Sequence, residues 1–253
     1  MKMGKNKDKL TPKDIVRNQF LEFHALQQKI EIINIVNSYH EKQNIIGNKS
    51  QKIRFDRYIE TFDNMMYNDE YTIVLEDDSL ICMEYVFDDY ENIVEHNLSY
   101  LPGFRQSPKN NIEKLINESF YGQRFEEEVY DDHENIVEHN SEDEFAGDEN
   151  NQLTLLQLQS QICNYIRIDF DEQGRKEYYH SLIHMHVGTN KNSIRIPVEH
   201  SILPFEFLYF ILKYLYFLSD NSTDILICDI PRQSMLTDKE KKRLKLVFAD
   251  CIN

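Results

Sequence analysis

Six runs of residues along this chain alternate apolar and polar side chains, in two groups of three, and within each group only a few residues separate neighbouring runs. The first three, Tyr71 to Leu75, Leu80 to Phe87 and Ile93 to Leu101, are broken by turn-forming pairs at Asp77-Asp78 and Asp88-Asp89. The second three, Ile162 to Phe170, Tyr178 to Val187 and Ser193 to Val198, are broken by Asp171-Glu172-Gln173-Gly174 and Gly188-Thr189-Asn190. Alternation of period two marks a half-buried strand. A crossover between parallel strands needs about a dozen residues or more, which these gaps do not hold. Each trio is therefore a meander, and the sheet is mostly antiparallel.

Helical patterns bracket the strands. Thr11 offers a capping hydroxyl ahead of Pro12 at the first helical position, and an apolar stripe through Ile15, Phe20, Phe23, Leu26, Ile30, Ile33 and Val36 predicts a long N-terminal helix with room for one break. A Gly/Asn/Lys linker is expected over Gln43 to Gln51, a second helix near Phe55 to Met66, and a polar helix around Ile112 to Phe120. Pro204 to Leu218 reads as a strongly apolar helix that covers the sheet. A short apolar stretch, Ile225 to Ile230, precedes a helix opened by Thr237-Asp238-Lys239-Glu240, which has capping-box spacing. The expected fold is α+β, with about six strands flanked by N-terminal and C-terminal helices in one domain over 1–253.

Charge divides the chain unevenly. The formal net charge is -16, from 28 Lys and Arg against 44 Asp and Glu. Between Phe125 and Ile166 there is no Lys or Arg, and twelve carboxylates from Glu126 to Glu149 account for most of the excess. The remainder is only mildly acidic, so net charge does not exclude a polyanionic ligand. Ordering backbone opposes folding by about 1 to 2 kcal/mol per residue, and this segment has few apolar groups to offset that. Residues 126–150 are thus expected to form a mobile acidic insertion, and 1–10 a basic tail. The competing reading is a flap that mimics nucleic acid in a basic groove. Deleting 126–150 is expected to leave the melting temperature nearly unchanged. If the flap reading holds, nucleic-acid binding by the deletion variant becomes tighter and more salt-dependent.

A repeat lies partly within this insertion. Asp88-Asp89-Tyr90-Glu91-Asn92-Ile93-Val94-Glu95-His96-Asn97 recurs from Asp131 to Asn140 with nine of ten positions identical. Nothing else recurs at this spacing, so the chain is not a repeat array. Local duplication explains it, and the second copy offers the strand pattern of the first. The Lys-rich start, Met1 to Lys9, lacks the apolar run of a secretory signal, and Ile202 to Leu218 is interrupted by Pro204, Glu206 and Lys213, which argues against a membrane span. Cys82, Cys163, Cys228 and Cys251 show no paired-ligand spacing. A cytoplasmic protein is expected.

Parity within the second trio selects a candidate site. Residues two apart on a strand face the same way. Ile166, Ile168 and Phe170 share one face, which leaves Arg167 and Asp169 on the other. Ile183, Met185 and Val187 likewise leave His184 and His186 opposite, with His180 in phase, and Ile194 and Ile196 turn Arg195 outward. Three adjacent strands would then present Arg167, Asp169, His180, His184, His186 and Arg195 on one surface. Imidazoles ligate metals or exchange protons near neutral pH, and guanidinium forks bind phosphate. The readings that compete are a phosphodiester or other acid-base site, a metal site on His180, His184 and His186 that a carboxylate such as Asp169 would complete or orient, and a polar layer of His-carboxylate pairs. In the first, His184 and His186 act as acid and base, Asp169 orients a histidine, and Arg167 and Arg195 bind phosphate. No phosphate-loop, dinucleotide, nucleophile-elbow or H-E-x-x-H motif is present.

The string Tyr165-Ile166-Arg167-Ile168-Asp169-Phe170, then His180-x-x-x-His184-x-His186-x-Gly188, Arg195-Ile196-Pro197 and Leu203-Pro204-Phe205-Glu206-Phe207, resembles the bacterial domain-of-unknown-function family 2290. Asp78-Ser79-Leu80-Ile81, Tyr85 and His96-Asn97-Leu98-Ser99-Tyr100-Leu101-Pro102 extend the resemblance upstream. Ser181 stands where the pattern has proline, and Asp78 where it has glycine. The resemblance implies no activity. The Arg-x-Asp and His-x-His elements alone are similar to small bacterial toxins of toxin-antitoxin pairs. The expectation is a cytoplasmic bacterial protein of a phage-defence or toxin-antitoxin type system that binds, and in the enzymatic version cleaves, nucleic acid with the help of a divalent metal. A protein partner encoded nearby and no membrane are expected. The alternative is a non-catalytic subunit of a larger complex.

Overall fold

In the computed structural model the described residues are 10–48, 57–103, 164–170, 181–188, 194–218 and 234–242. The two longest strands form where alternation is longest: β5 (Leu80–Phe87) and β6 (Ile93–Leu101) pair antiparallel along their whole length. Around them stand β1 (Ile33–Val36), β2 (His40–Lys42), β3 (Ile45–Gly47), β4 (Ile73–Leu75), β7 (Ile166–Phe170), β8 (Ile183–Val187) and β9 (Ile194–Pro197). The sheet runs in the order β1-β4-β5-β6-β7-β8-β9, with the β2-β3 hairpin joined to β5 beside β4. Every pairing is antiparallel. The α+β expectation holds, and the six predicted strands correspond to β4 through β9.

Three strands go beyond that expectation. Helix α1 (Pro12–Gln27) is capped as the sequence suggests, Thr11 Oγ1 accepting from the Asp14 N–H at 3.1 Å and Asp14 Oδ2 accepting from the Thr11 N–H at 3.2 Å. It ends sooner than the apolar stripe predicts, and Ile33 to Val36 is strand β1. Ile33 pairs with Leu75 and Ile35 with Val74, so Asn34 is an extra residue in a β-bulge. The bulge turns both Ile33 and Val36 toward the core, which gives a strand the three-residue spacing of a helix. The linker expected at Gln43 is the tip of the β2-β3 hairpin, with Gln43 at φ 53°. Arg17 on α1 holds this hairpin through Nε to Glu41 Oε2 at 3.0 Å.

The sheet buries both faces, to different depths. Ile81, Met83, Tyr85, Leu98, Ile168, Ile183 and Met185 meet α1 and α3 (Pro204–Tyr214) in the larger core. Gln19 Oε1 accepts from the Phe205 N–H at the start of α3 (3.1 Å), an amide that the helix itself leaves unpaired. The approach to α3 is fixed at Ile202, whose N–H donates to His96 Nε2 and whose carbonyl accepts from the Tyr85 hydroxyl. On the opposite face Tyr58, Phe62 and Met65 of α2 (Tyr58–Tyr67) cover Val74, Leu80, Cys82, Leu101 and Tyr165. Their i, i+4, i+7 spacing puts all three on one stripe of the helix.

Thr237 and Glu240 exchange the two capping bonds that their spacing predicts, at the 3-10 turn Glu240–Lys242, and the residues after 242 of the expected helix lie outside the described residues. The basic tail through residue 9, the polar helix at Ile112 to Phe120, the acidic insertion 126–150 with the second repeat copy, and the stretch Ile225 to Ile230 lie outside the described residues. Leu10, the last residue of the expected tail, is exposed. Among the described residues no helix is long and apolar enough to cross a membrane.

Candidate functional site

Strand register assembles the site on the face shared with α2. Arg167 of β7 pairs with His186 of β8, and His186 with Arg195 of β9. One step along, Asp169 pairs with His184 and His184 with Pro197. Side chains directly opposite on neighbouring strands point the same way, so the parity reading places Arg167, Asp169, His184 and His186 correctly on one face. His180 lies outside the described residues.

The Asp169 carboxylate is the centre. Its Oδ2 accepts from Arg167 Nε at 2.9 Å and lies 3.5 Å from His186 Nε2 and 3.9 Å from His184 Nε2. The two imidazole rings meet edge to face, with centroids 4.6 Å apart. His184 Nδ1 lies 3.0 Å from the Ser181 carbonyl. A carbonyl only accepts, so Nδ1 carries a proton, and Nε2 is the ring nitrogen that faces Asp169. Position 181 therefore serves through its backbone, which explains why serine in place of proline leaves the site intact.

The sequence reading puts these groups on a surface, and the structure buries three of them. Asp169, His184 and His186 are 4%, 1% and 5% exposed. Arg167 is half-buried, and only Arg195 is open to solvent. Parity fixes which face a side chain takes but carries nothing about what lies over that face. One donor atom from each of Asp169, His184 and His186 lies within 4.8 Å of the other two, which is compact enough to hold one metal ion. Asp169 is the carboxylate that completes the cluster, and His180, also expected as a ligand, falls outside the described residues. Asp169 Oδ1 is buried without a hydrogen-bond partner among the described residues. Such an atom is costly unless a ligand completes it.

Strand β6 extends the same face in a way that the sequence reading misses. Asn97 lies opposite Asp169, and Ser99 opposite Arg167. The signal was the alternation of Asn97 and Ser99 with Leu98 and Tyr100. Opposite Ser99 on β5 is Cys82, fully buried, whose thiol pKa burial pushes up to about 12. A thiol so raised stays protonated at neutral pH and is a poor nucleophile. His96, of opposite parity, faces the larger core and holds Ile202 in place rather than joining the site.

These residues lie within a family match that spans nearly the whole chain, residues 19–248. The chain belongs to the family described as uncharacterized conserved protein, DUF2290. No curated protein and no solved structure matches it.

Proposed function

We propose that this member of DUF2290 is a metal-dependent phosphodiesterase acting on nucleic acid, with Asp169, His184 and His186 as the ligands of one divalent ion. The observation that carries the reading is the convergence of two imidazoles on a buried carboxylate whose second oxygen has no partner among the described residues. Three protein ligands leave coordination positions for water and substrate, as catalytic sites do and closed structural sites do not. When bound, such an ion polarises a phosphoryl oxygen and acidifies water. The Ser181 carbonyl holds His184 in the tautomer that ligates, and the Arg167–Asp169 pair orients the carboxylate. Arg195, exposed beside His186, draws in the anionic substrate. A phage-defence or toxin-antitoxin setting in the cytoplasm, with a protein partner encoded nearby, is part of the same proposal and is supported by the Arg-x-Asp and His-x-His elements.

Elemental analysis of untagged protein is expected to find about one zinc, manganese or similar ion per chain. The His184→Ala/His186→Ala variant is expected to lose that ion together with cleavage of DNA or RNA while keeping its fold. Metal-free wild-type protein whose cleavage survives the double substitution would overturn the proposal.

The burial of the cluster favours one second reading, a non-catalytic subunit in which the Asp/His/Arg network is structural. Under that reading the double substitution lowers stability, and binding to the partner persists wherever the variant folds.

A further inference from the structure

Imidazoles ligate a metal as neutral rings, and the charges of Asp169 and Arg167 cancel, so among these four residues a seated divalent ion leaves an excess of two positive charges beside buried groups. Uncompensated charge in such surroundings is strongly unfavourable. Arg167 is already oriented to receive the compensating group. Its Nε is fixed by Asp169 Oδ2 at 2.9 Å, and its side chain is 14% exposed. Its terminal Nη1 and Nη2 groups make no hydrogen bond among the described residues. A guanidinium pinned at Nε presents its outer edge as a fork with the geometry of an oxyanion.

We propose that a phosphate group completes this centre by bridging the ion and the free fork of Arg167, so that metal and phosphate bind cooperatively. The inference rests on the metal reading above. A tetrahedral phosphate has oxygens for both partners, and as a dianion it matches the excess of two charges. A carboxylate matches half of it. An internal phosphodiester brings one charge. The second charge comes from the nucleophile: water gives a proton to bulk solvent, and in the transition state the oxygen of the resulting hydroxide bonds to phosphorus as the leaving oxygen departs with its electron pair. The site is thereby complementary to that transition state, and orthophosphate or a terminal phosphate monoester is its tightest ground-state ligand.

The test uses the full chain and Mn2+, with the free ion followed by electron paramagnetic resonance across a series of orthophosphate concentrations. Ion pairing between Mn2+ and phosphate is measured without protein and subtracted. Phosphate is expected to tighten Mn2+ binding by about fivefold or more, within the usual range for coupled ligands, and acetate to do far less. In Arg167→Gln the coupling is expected to vanish while Mn2+ still binds. Because that variant leaves Asp169 without its cation, the wild-type series stands as a test by itself. Mn2+ affinity independent of phosphate, or raised equally by acetate, overturns this inference and leaves the metal reading standing. Failure of wild-type protein to bind Mn2+ or Zn2+ at any phosphate concentration overturns both.

Discussion

Replacing Asp169 with alanine is expected to destabilise the protein by about 3 kcal/mol, the lower end of the range for removing one partner of a buried ion pair. The carboxylate is 4% exposed and is the acceptor for Arg167 Nε. Without it the half-buried guanidinium loses its counter-charge, and both imidazoles lose the group on which they converge. For a chain of this size the melting temperature should fall by roughly 6 to 12 °C, taking about 2 to 4 °C per kcal/mol. The lower end applies because the Arg167 side chain, at 14% exposure, can turn partly into water. The double variant Arg167→Met/Asp169→Leu discriminates between reasons for the network. Apolar groups of similar volume often replace a buried pair with no loss of stability, so this variant is expected to melt near wild type while binding no metal. A double variant as unstable as Asp169→Ala would show that the network is structural.

Gly47→Ala is expected to be as damaging, through the backbone alone. Gly47 ends β3 at φ 120°, a conformation that residues with a Cβ rarely adopt, and an added Cβ would meet the Met83 carbonyl oxygen of β5 at 2.1 Å. Backbone strain of about 1 to 3 kcal/mol and overpacking of about 1 to 3 kcal/mol add at one position, for an expected loss of about 3 to 5 kcal/mol. The contact cannot relax through a side chain, because the obstruction is the main chain of the longest strand pair. Asn48 N–H also donates to Met83 O at 2.9 Å, so any shift of β3 strains a second bond. Urea denaturation should show an earlier midpoint, with protection of the Ile45 to Gly47 amides lost first in hydrogen exchange. An unfolding free energy within about 0.5 kcal/mol of wild type, the usual range for harmless surface changes, would mean that the hairpin is not held as described.

The alternation in β5 and β6 specified their limits, because a period of two over eight or nine residues has no competing local explanation. The same rule put Arg167, Asp169, His184 and His186 on one face, a local property of each strand. Near Ile33 the local signal was ambiguous. A bulge at Asn34 let a strand imitate helical spacing, and only pairing with β4 resolves the two. The β2-β3 hairpin was missed for a related reason, since strands of three residues carry too little periodicity to read.

What the sequence alone determined is therefore the set of elements with sustained periodicity, the antiparallel connectivity that short gaps enforce, and the side of the sheet on which the charged and imidazole groups stand. Tertiary structure decided the rest. Strand register set Asp169 opposite His184 and Arg167 opposite His186, a pairing that parity alone does not choose, since a shift of two residues keeps every side chain on its face while changing its partner. Burial, which depends on what lies over the sheet rather than on any strand, turned an expected surface into a desolvated centre and left Asp169 Oδ1 without a partner among the described residues.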